Sequence, residues 1–124
     1  MAAGSMVITE ISHGTVKKIK AAWTASTGDT GTVSGVTTKE YDGRIIGVIT
    51  VPGTGDDAPD ADYDIALNDS DGVDVALGAV ANRHTSNTEY VAEASMAGVA
   101  HSPLTIAVTA AGSGNKGTAY IFVR

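Results

Sequence analysis

The sequence contains no cysteine among its 124 residues. Disulfides, cysteine-ligated zinc and thiol catalysis are therefore excluded, whereas the cellular compartment is left open. Aromatic residues make up only 5% of the chain. The core must consequently be built from valine, isoleucine, leucine and alanine, and each large aliphatic side chain contributes roughly 1.5–3 kcal/mol when it is fully buried.

Basic residues are also scarce, and the formal net charge is −6. A surface of this sign repels phosphate backbones, which argues against nucleic acid as a partner. The apolar runs are far shorter than the roughly 18 residues of a membrane helix, so we expect no membrane partner. The first ten residues lack the basic start and apolar stretch of a signal peptide. Residues 1–5 are a candidate cloning remnant or disordered start, ahead of a single domain at 6–124.

Glycine, by contrast, is abundant, with 15 residues, and together with frequent threonine it favours short strands joined by turns. No helical period is sustained for ten residues, whereas alternating or continuously apolar segments recur. They predict strands at 16–26, 32–41, 44–51, 63–68, 73–80, 89–94, 104–110 and 118–124. This pattern predicts an all-β protein, an antiparallel β-sandwich of about seven or eight strands. A jelly roll and an immunoglobulin-like sandwich fit it equally well.

Three short segments have the composition of hairpin connections. Asp42-Gly43 predicts a tight hairpin leading into 44–51. NDSDG at 68–72 predicts a turn between 63–67 and 73–77, with Val73, Val75 and Leu77 pointing inward. AGSGNKG at 111–117 predicts a loose hairpin loop between the last two strands.

The segment 79–102 is the least clear part of the chain. It reads either as a long loop with one strand near Glu89–Ala94 or, in AEASMAGVA, as a helical turn. The segments 44–51 and 118–123 are apolar on both faces, and one sandwich has only one interior. Their second face therefore needs a cover, which is either the segment 79–102 or another subunit. We expect a homo-oligomer, a trimer or a dimer.

Few side chains suggest chemistry. When Gly72 is set as the glycine of a calcium loop, positions one and twelve become Leu67 and Gly78, so the EF-hand pattern fails. A structural turn is the favoured interpretation, and a weak cation site at Asp69, Asp71 and Asp74 is the alternative. The three histidines stand alone, and neither G-x-S-x-G nor a phosphate-loop spacing is present. We expect no catalytic residue, no cofactor and no enzyme.

Charge suggests a contact between subunits. Lys17, Lys18 and Lys20 fall on one strand, whereas eight of the fourteen acidic residues lie between Asp56 and Asp74. One hypothesis places these lysines against the acidic 56–64 loop of a neighbouring copy. The alternative is that edge lysines only discourage unwanted strand pairing. The candidate interface residues are Lys17, Lys18, Lys20, Asp56, Asp57, Tyr120 and Phe122.

Several stretches have a familiar form. They are YDIALNDSDGVDV at 63–75, GAVANRHTSNTEY at 78–90 and SPLTIAVTAAGSGNKGTAYIFVR at 102–124. The last stretch contains a PLT-x-x-V strand, an AG…KG turn and a terminal Y-x-x-V-R strand. In these elements the chain resembles small β-rich virion structural proteins of tailed bacteriophages.

The resemblance implies a virion structural role, first as a capsid decoration or cement protein and otherwise as a tail or head-fibre component. It implies the major capsid protein or other virion proteins as partners, and location in the virion after assembly in the host cytoplasm. The rival interpretation is a carbohydrate-binding or adhesin-type sandwich. Its candidate stacking residues are Trp23, Tyr41 and Tyr90, of which Trp23 alternates toward the core.

Overall fold

The computed structural model describes residues 2–28, 30–93 and 96–124. They form nine strands and one short 3-10 turn, Gly55–Asp57. The strands are β1 Ser5–His13, β2 Val16–Thr24, β3 Val33–Val36, β4 Tyr41–Pro52, β5 Asp64–Asn68, β6 Glu89–Ala92, β7 Gly98–Ser102, β8 Thr105–Thr109 and β9 Lys116–Val123. All their pairings are antiparallel. The predicted all-β antiparallel sandwich is confirmed, with nine strands instead of seven or eight.

The strand order selects the jelly roll. The larger sheet has the order β1-β2-β9-β4-β6, with β7 also pairing with β4, and the smaller sheet has the order β3-β8-β5. The pairings are nested: β2 with β9, β3 with β8 and β4 with β6, and an isolated bridge joins Asn68 at the end of β5 to Asp74. A jelly roll has this nesting, because its chain folds back once into a long hairpin and the hairpin then wraps over two sheets. In an immunoglobulin-like fold the second strand lies between the first and the fifth, whereas here β2 lies between β1 and the last strand.

The core lies between the two sheets and is aliphatic, as the composition predicts. Alternation sends every second side chain inward. The predicted inward sets of β2, β5 and β8, together with their flanking residues, are all buried: Ile19, Ala21, Trp23, Tyr63, Ile65, Leu67, Leu104, Ile106 and Val108. Ala119, Ile121 and Val123 of β9 are completely buried beside them. The two-residue period therefore identifies most of the core.

One end of the core is filled by a pair of aromatic rings. The ring centroids of Trp23 and Tyr63 are 5.6 Å apart, with the rings tilted by 52°. Trp23 pairs with Gly117 across β2 and β9, and a Cβ at position 117 would overlap the Trp23 ring. Glycine at 117 thus provides the space in which the only tryptophan of the chain lies.

Two predicted hairpins are wrong. Asp42-Gly43 lies inside β4, at an irregularity in the pairing with β7. Gly43 has a φ of +125° there. A bulge and a tight turn accept the same dipeptide, so the composition did not separate them. The segment 111–117 crosses from β8 in the smaller sheet to β9 in the larger one. The predicted strand 32–41 shortens to β3, and β1 was not predicted.

The segment 73–80 forms turns instead of the predicted strand. Val75 is buried as expected, but Val73 and Leu77 are exposed, so their predicted inward orientation is wrong. The side chain of Asp74 explains the turns, because it accepts the backbone N–H groups of Leu67, Ala76 and Gly78. These bonds bend the chain back on itself, and no alternation survives.

The segment 79–102 supplies two strands to the larger sheet. The predicted strand near Glu89–Ala94 is confirmed as β6, whereas β7 was not predicted. The helical-turn alternative falls partly on residues 94 and 95, outside the described residues, and positions 98–100 are strand. Both strands pair with β4 at its side, so they extend the sheet instead of lying across it.

The start of the chain contacts the loop after β2. The backbone N–H of Ala2 donates to Thr27 Oγ1 at 2.6 Å, and the N–H of Thr27 donates to the Ala2 carbonyl at 2.9 Å. β1 begins at Ser5, inside the predicted disordered start. The interpretation of residues 1–5 as a cloning remnant stays a prediction.

Glu10 ties β1 to the connection between β3 and β4. Its carboxylate accepts hydrogen bonds from the N–H and hydroxyl of Thr38, the N–H of Lys39 and the hydroxyl of Tyr41. Burial raises the pKa of Glu10, but these hydrogen bonds outweigh it and bring the pKa below 4.5. Burial and the Glu10 carboxylate raise the pKa of the Tyr41 hydroxyl well above its usual value.

Replacing Glu10 with glutamine should lower the free energy of unfolding by about 1–2 kcal/mol at pH 7, because hydrogen bonds to a charged acceptor become neutral ones. The folded-state pKa is depressed, so the carboxylate's contribution is present above pH 4.5 and is lost as the pH falls through the folded pKa. The difference between wild type and Glu10→Gln should therefore shrink toward pH 3. Urea unfolding at several pH values measures it. The exposed Glu40→Gln is the control, and an equal effect there would contradict the prediction.

Candidate functional site: the outer face of the larger sheet

The larger sheet has a second face, directed away from the core. Paired residues of antiparallel strands point to the same side. The register therefore forms one row from Lys20, Tyr120, Ile49 and Tyr90 across β2, β9, β4 and β6. Neighbouring rows place Lys18 beside Phe122, and Ala22 beside Thr118 and Val51. We call the following set the outer face: Val7, Thr9, Ile11, Lys18, Lys20, Ala22, Ile49, Val51, Tyr90, Thr118, Tyr120 and Phe122.

The outer face is apolar and open. Val7 is 68% exposed, Ile11 50% and Tyr90 63%, while Ile49, Tyr120 and Phe122 are half-buried. These exposures show that the described chain leaves the second apolar face of β4 and β9 without a complete cover. Single exposed apolar residues are ordinary, but a contiguous row of them across several strands is typical of an interaction surface.

Two lysines place positive charge on this face. The Lys18 Nζ lies 5.0 Å and the Lys20 Nζ 5.9 Å from the centroid of the Tyr120 ring. Ammonium groups at this distance are attracted to the ring by about 0.5–1 kcal/mol at exposed sites. Their aliphatic stems lie along the sheet while the charges stay in water. A partner that covers Tyr120 therefore also meets two cations.

Tyr90 is held flat against β4. Its hydroxyl donates to the Ile46 carbonyl at 3.2 Å. Its ring lies over Gly47, where a Cβ would overlap the ring carbon Cε1. The ring is thus fixed in a defined position with most of its surface in solvent, which lowers the entropy that a partner must remove on contact.

A groove lies at one end of the outer face, with a volume of about 480 Å³. The row of Val7, Ala22, Thr118 and Val51 forms its sheet side. Asp57, from the 3-10 turn, and Lys116 also line it. The groove therefore combines an apolar floor with one carboxylate and one ammonium group.

The predicted interface residues fall into three places. Lys18, Lys20, Tyr120 and Phe122 share the outer face, as described above. Asp57 lies at the groove, and Asp56 is exposed on the same 3-10 turn. Lys17 does not join the other lysines: it pairs with Val123, whose side chain points into the core, so Lys17 lies on the opposite side of β2.

Val7, Ile11 and Tyr90 lie on the outer face but are not among the predicted interface residues. The alternation in MVITEIS at 6–12 was a signal for β1 and its outward residues. Tyr90 was considered only as a residue that stacks on sugars. Its place beside Ile49 depends on which strand pairs with β4, and no local pattern carries that information.

The acidic turn has a structural role in this fold. Asp69 Oδ1 accepts the N–H groups of Asp71 and Val73 at 2.9 and 3.0 Å. Both oxygens of Asp74 accept backbone N–H groups at 3.0 Å, while Asp71 is exposed. Within residues 2–28, 30–93 and 96–124, no three His, Asp or Glu side chains are grouped so that they could hold a metal ion. Two of the three predicted cation ligands are engaged with the backbone.

His84 lies in the loop before β6, whereas His101 lies in β7. His84 Nδ1 accepts the N–H groups of Ser86 and Asn87, and His101 Nε2 lies 3.6 Å from a Glu40 carboxylate oxygen. The 111–117 connection is held by its own bonds, among them one from Asn115 Nδ2 to the Ala111 carbonyl. The hydrogen bonds of His84 and Asn115 thus fix the shapes of their loops.

Comparison of the chain with protein-family models, curated proteins and solved structures gives no match in any of the three. Among the described residues no helix has the length and apolar character to cross a membrane.

Proposed function

We propose that this chain is a non-enzymatic virion structural protein of the capsid decoration or cement type. Its outer face would pack against a neighbouring subunit on the particle, with the major capsid protein or other virion proteins as further partners. The observation that carries the proposal is the open outer face: apolar side chains lie outside a core that is already complete. The sequence resemblance to virion structural proteins of tailed bacteriophages points in the same direction.

Shell stabilisation is a physical consequence of such a surface. A protein that binds only the assembled particle stabilises it by mass action. When many copies bind across junctions, contacts that are weak individually act together. Ile49, Tyr120 and Phe122 provide apolar area for these contacts, and the two lysines favour a partner with acidic groups.

The fold is compatible with this role without deciding it. Jelly rolls occur in viral capsids and also in lectins, so the site must carry the functional argument. The rival carbohydrate-binding function has less support, because two of its three aromatic candidates, Trp23 and Tyr41, are buried. Tyr90 is exposed, but its hydroxyl is engaged with the backbone. A tail or head-fibre component would use the same outer face.

The proposal can be tested by adding the chain to virus particles that lack it. Wild-type chain should bind these particles and raise the temperature at which they release their contents. Phe122→Ser should lower the apparent affinity for particles at least tenfold, because it removes apolar area at the centre of the outer face. Occupancy and heat resistance of the particles should fall with it. Val36→Ser is the matched control, since Val36 is exposed on β3 in the other sheet. Binding to a glycan array without binding to particles would favour the rival function.

A further inference from the structure

We propose that the outer face binds the outer face of a second copy of this chain, with Lys18 and Lys20 of each copy directed at Asp56 and Asp57 of the other. This inference rests on the proposed function and names the neighbouring subunit that covers the outer face. It replaces the sequence-based hypothesis of a strand-edge contact, because the lysines concerned project from a sheet face and Lys17 is not among them.

Positive and negative charges are separated along the strands of the outer face. Lys18 and Lys20 occupy two rows of the outer face, and Ala22 marks the next row, where the groove begins. Lys18 and Ala22 are four residues apart, about 14 Å at roughly 3.4 Å per residue. Asp57 lies at the groove, and Asp56 follows it on the same turn. Lys18 thus lies in the row at one end of the face and Lys20 in the middle row, whereas the other end carries two carboxylates, partly offset by Lys116.

A two-fold axis turns this separation into complementarity. When two sheets face each other about an axis that runs across the strands, the direction of each strand is reversed relative to its counterpart. With the axis between the Lys20 and Ala22 rows, Lys20 of one copy lies over the Ala22 row of the other and Lys18 lies over the end that carries Asp57, and each contact occurs twice. A head-to-head arrangement would instead place lysines against lysines, which costs several kcal/mol for like charges.

The groove supplies a fitting receptor for a lysine. Its floor of Val7, Ala22 and Val51 accepts an aliphatic stem, and the Asp57 carboxylate accepts the ammonium group. Lys18 and Lys20 extend from a neighbouring part of the same face, so a second copy in the reversed orientation brings such a side chain to the groove.

The size of the face is sufficient for a specific dimer. The four long strands β1, β2, β9 and β4, about 4.8 Å apart, span roughly 19 Å, and the nine residues of β1 extend about 30 Å. The product, about 600 Å², lies at the lower end of the roughly 600–1,000 Å² that each partner buries in a standard interface.

Sedimentation equilibrium at 50 mM and 500 mM salt tests this pairing. Wild type should be dimeric, with a dissociation constant that rises at high salt. Lys18→Glu/Lys20→Glu should weaken the dimer at least tenfold, and so should Asp56→Lys/Asp57→Lys. Combining all four changes should restore association to within about threefold of wild type, because the charges are exchanged between the two ends. Lys116→Gln should strengthen the dimer severalfold, since it removes the offsetting cation beside Asp57.

Lys17→Glu is the matched control, because it makes the same charge change on the same strand but on the opposite side. A wild-type monomer at 1 mM, a trimer, or charge exchange that fails to restore association would each overturn the self-pairing. The particle-binding assay separates this result from the proposed function. A monomer that still binds and stabilises particles would sink only the self-pairing, whereas a dimer that ignores particles would sink only the virion role.

Discussion

Replacing Ile121 with alanine is expected to lower the free energy of unfolding by about 3–4 kcal/mol, within the range for large-to-small changes in a well-packed core. Ile121 is completely buried on the inner side of β9, the strand between β2 and β4. It pairs with Ile19 on one side and Val48 on the other, and both are completely buried. A cavity at this position has neighbours on rigid strands that relax only partly, so most of the lost packing is not recovered.

The next residue on the same strand is the control for this prediction. Phe122 points to the outer face and keeps part of its surface in solvent, so Phe122→Ala should cost about 1–2 kcal/mol, although it removes more atoms. Urea denaturation followed by Trp23 fluorescence measures both variants. Equal losses at 121 and 122 would mean that the outer face is part of the folding core, and the proposal of an open binding face would then be wrong.

Asp74→Ala is expected to destabilise the protein by about 2–3 kcal/mol. Three backbone N–H groups donate to this carboxylate, those of Leu67, Ala76 and Gly78. Hydrogen bonds to a charged group are worth about 1.5–3 kcal/mol each, and their sum is reduced because the site is half-buried and its members act together. Removal of the carboxylate also leaves the Leu67 N–H at the end of β5 without its acceptor.

Two matched variants make this prediction specific. Asp74→Asn keeps one acceptor oxygen and should lose about half as much. Asp71→Ala removes a carboxylate from the exposed part of the same turn and should change stability by less than about 0.5 kcal/mol. Thermal unfolding with and without 5 mM calcium compares all three variants with wild type. A calcium-dependent rise in the wild-type midpoint that both Asp71→Ala and Asp74→Ala abolish would instead support the cation site at Asp69, Asp71 and Asp74.

Local alternation was sufficient to predict the parts of the fold that depend on one strand at a time. Ile19, Ala21 and Trp23 alternate with polar or small residues, and one face of β2 is buried as this spacing requires. The same reasoning holds for β5 and β8. Alternation reports which side of a strand is apolar, and that property does not depend on the neighbouring strand.

Turns and strand order could not be predicted in the same way. Asp42-Gly43 has the composition of a hairpin, but it lies at an irregularity within β4, where only the glycine has a positive φ. The 111–117 connection has a hairpin composition and crosses between sheets, because the pairing of β9 with β2 and β4 is decided by residues far away in the sequence. At 73–77, one carboxylate, that of Asp74, overrides an alternating pattern by binding three amides.

The residues of the outer face were predicted only in part. Two apolar faces on 44–51 and 118–123 indicated a surface beyond the core, and the structure places Ile49, Tyr120 and Phe122 there. The lysines were assigned as one group because they are adjacent in sequence, whereas the pleat of β2 separates Lys17 from Lys18 and Lys20. Because successive residues of a strand point to opposite faces, neighbours in sequence such as Lys17 and Lys18 lie on different sides of the sheet.

The position of β9 has a consequence for biosynthesis. This strand is the last of the nine to be synthesised, and it fills the middle of the larger sheet between β2 and β4. Until residues 116–123 have left the ribosomal exit tunnel, the edges of β2 and β4 that pair with β9 have no hydrogen-bonding partner. Pairing between strands that are distant in sequence is slow, and the unpaired strand edges are prone to aggregation. We therefore expect nascent chains to depend on holdase chaperones until β9 has emerged, and copies truncated within β9 to be degraded.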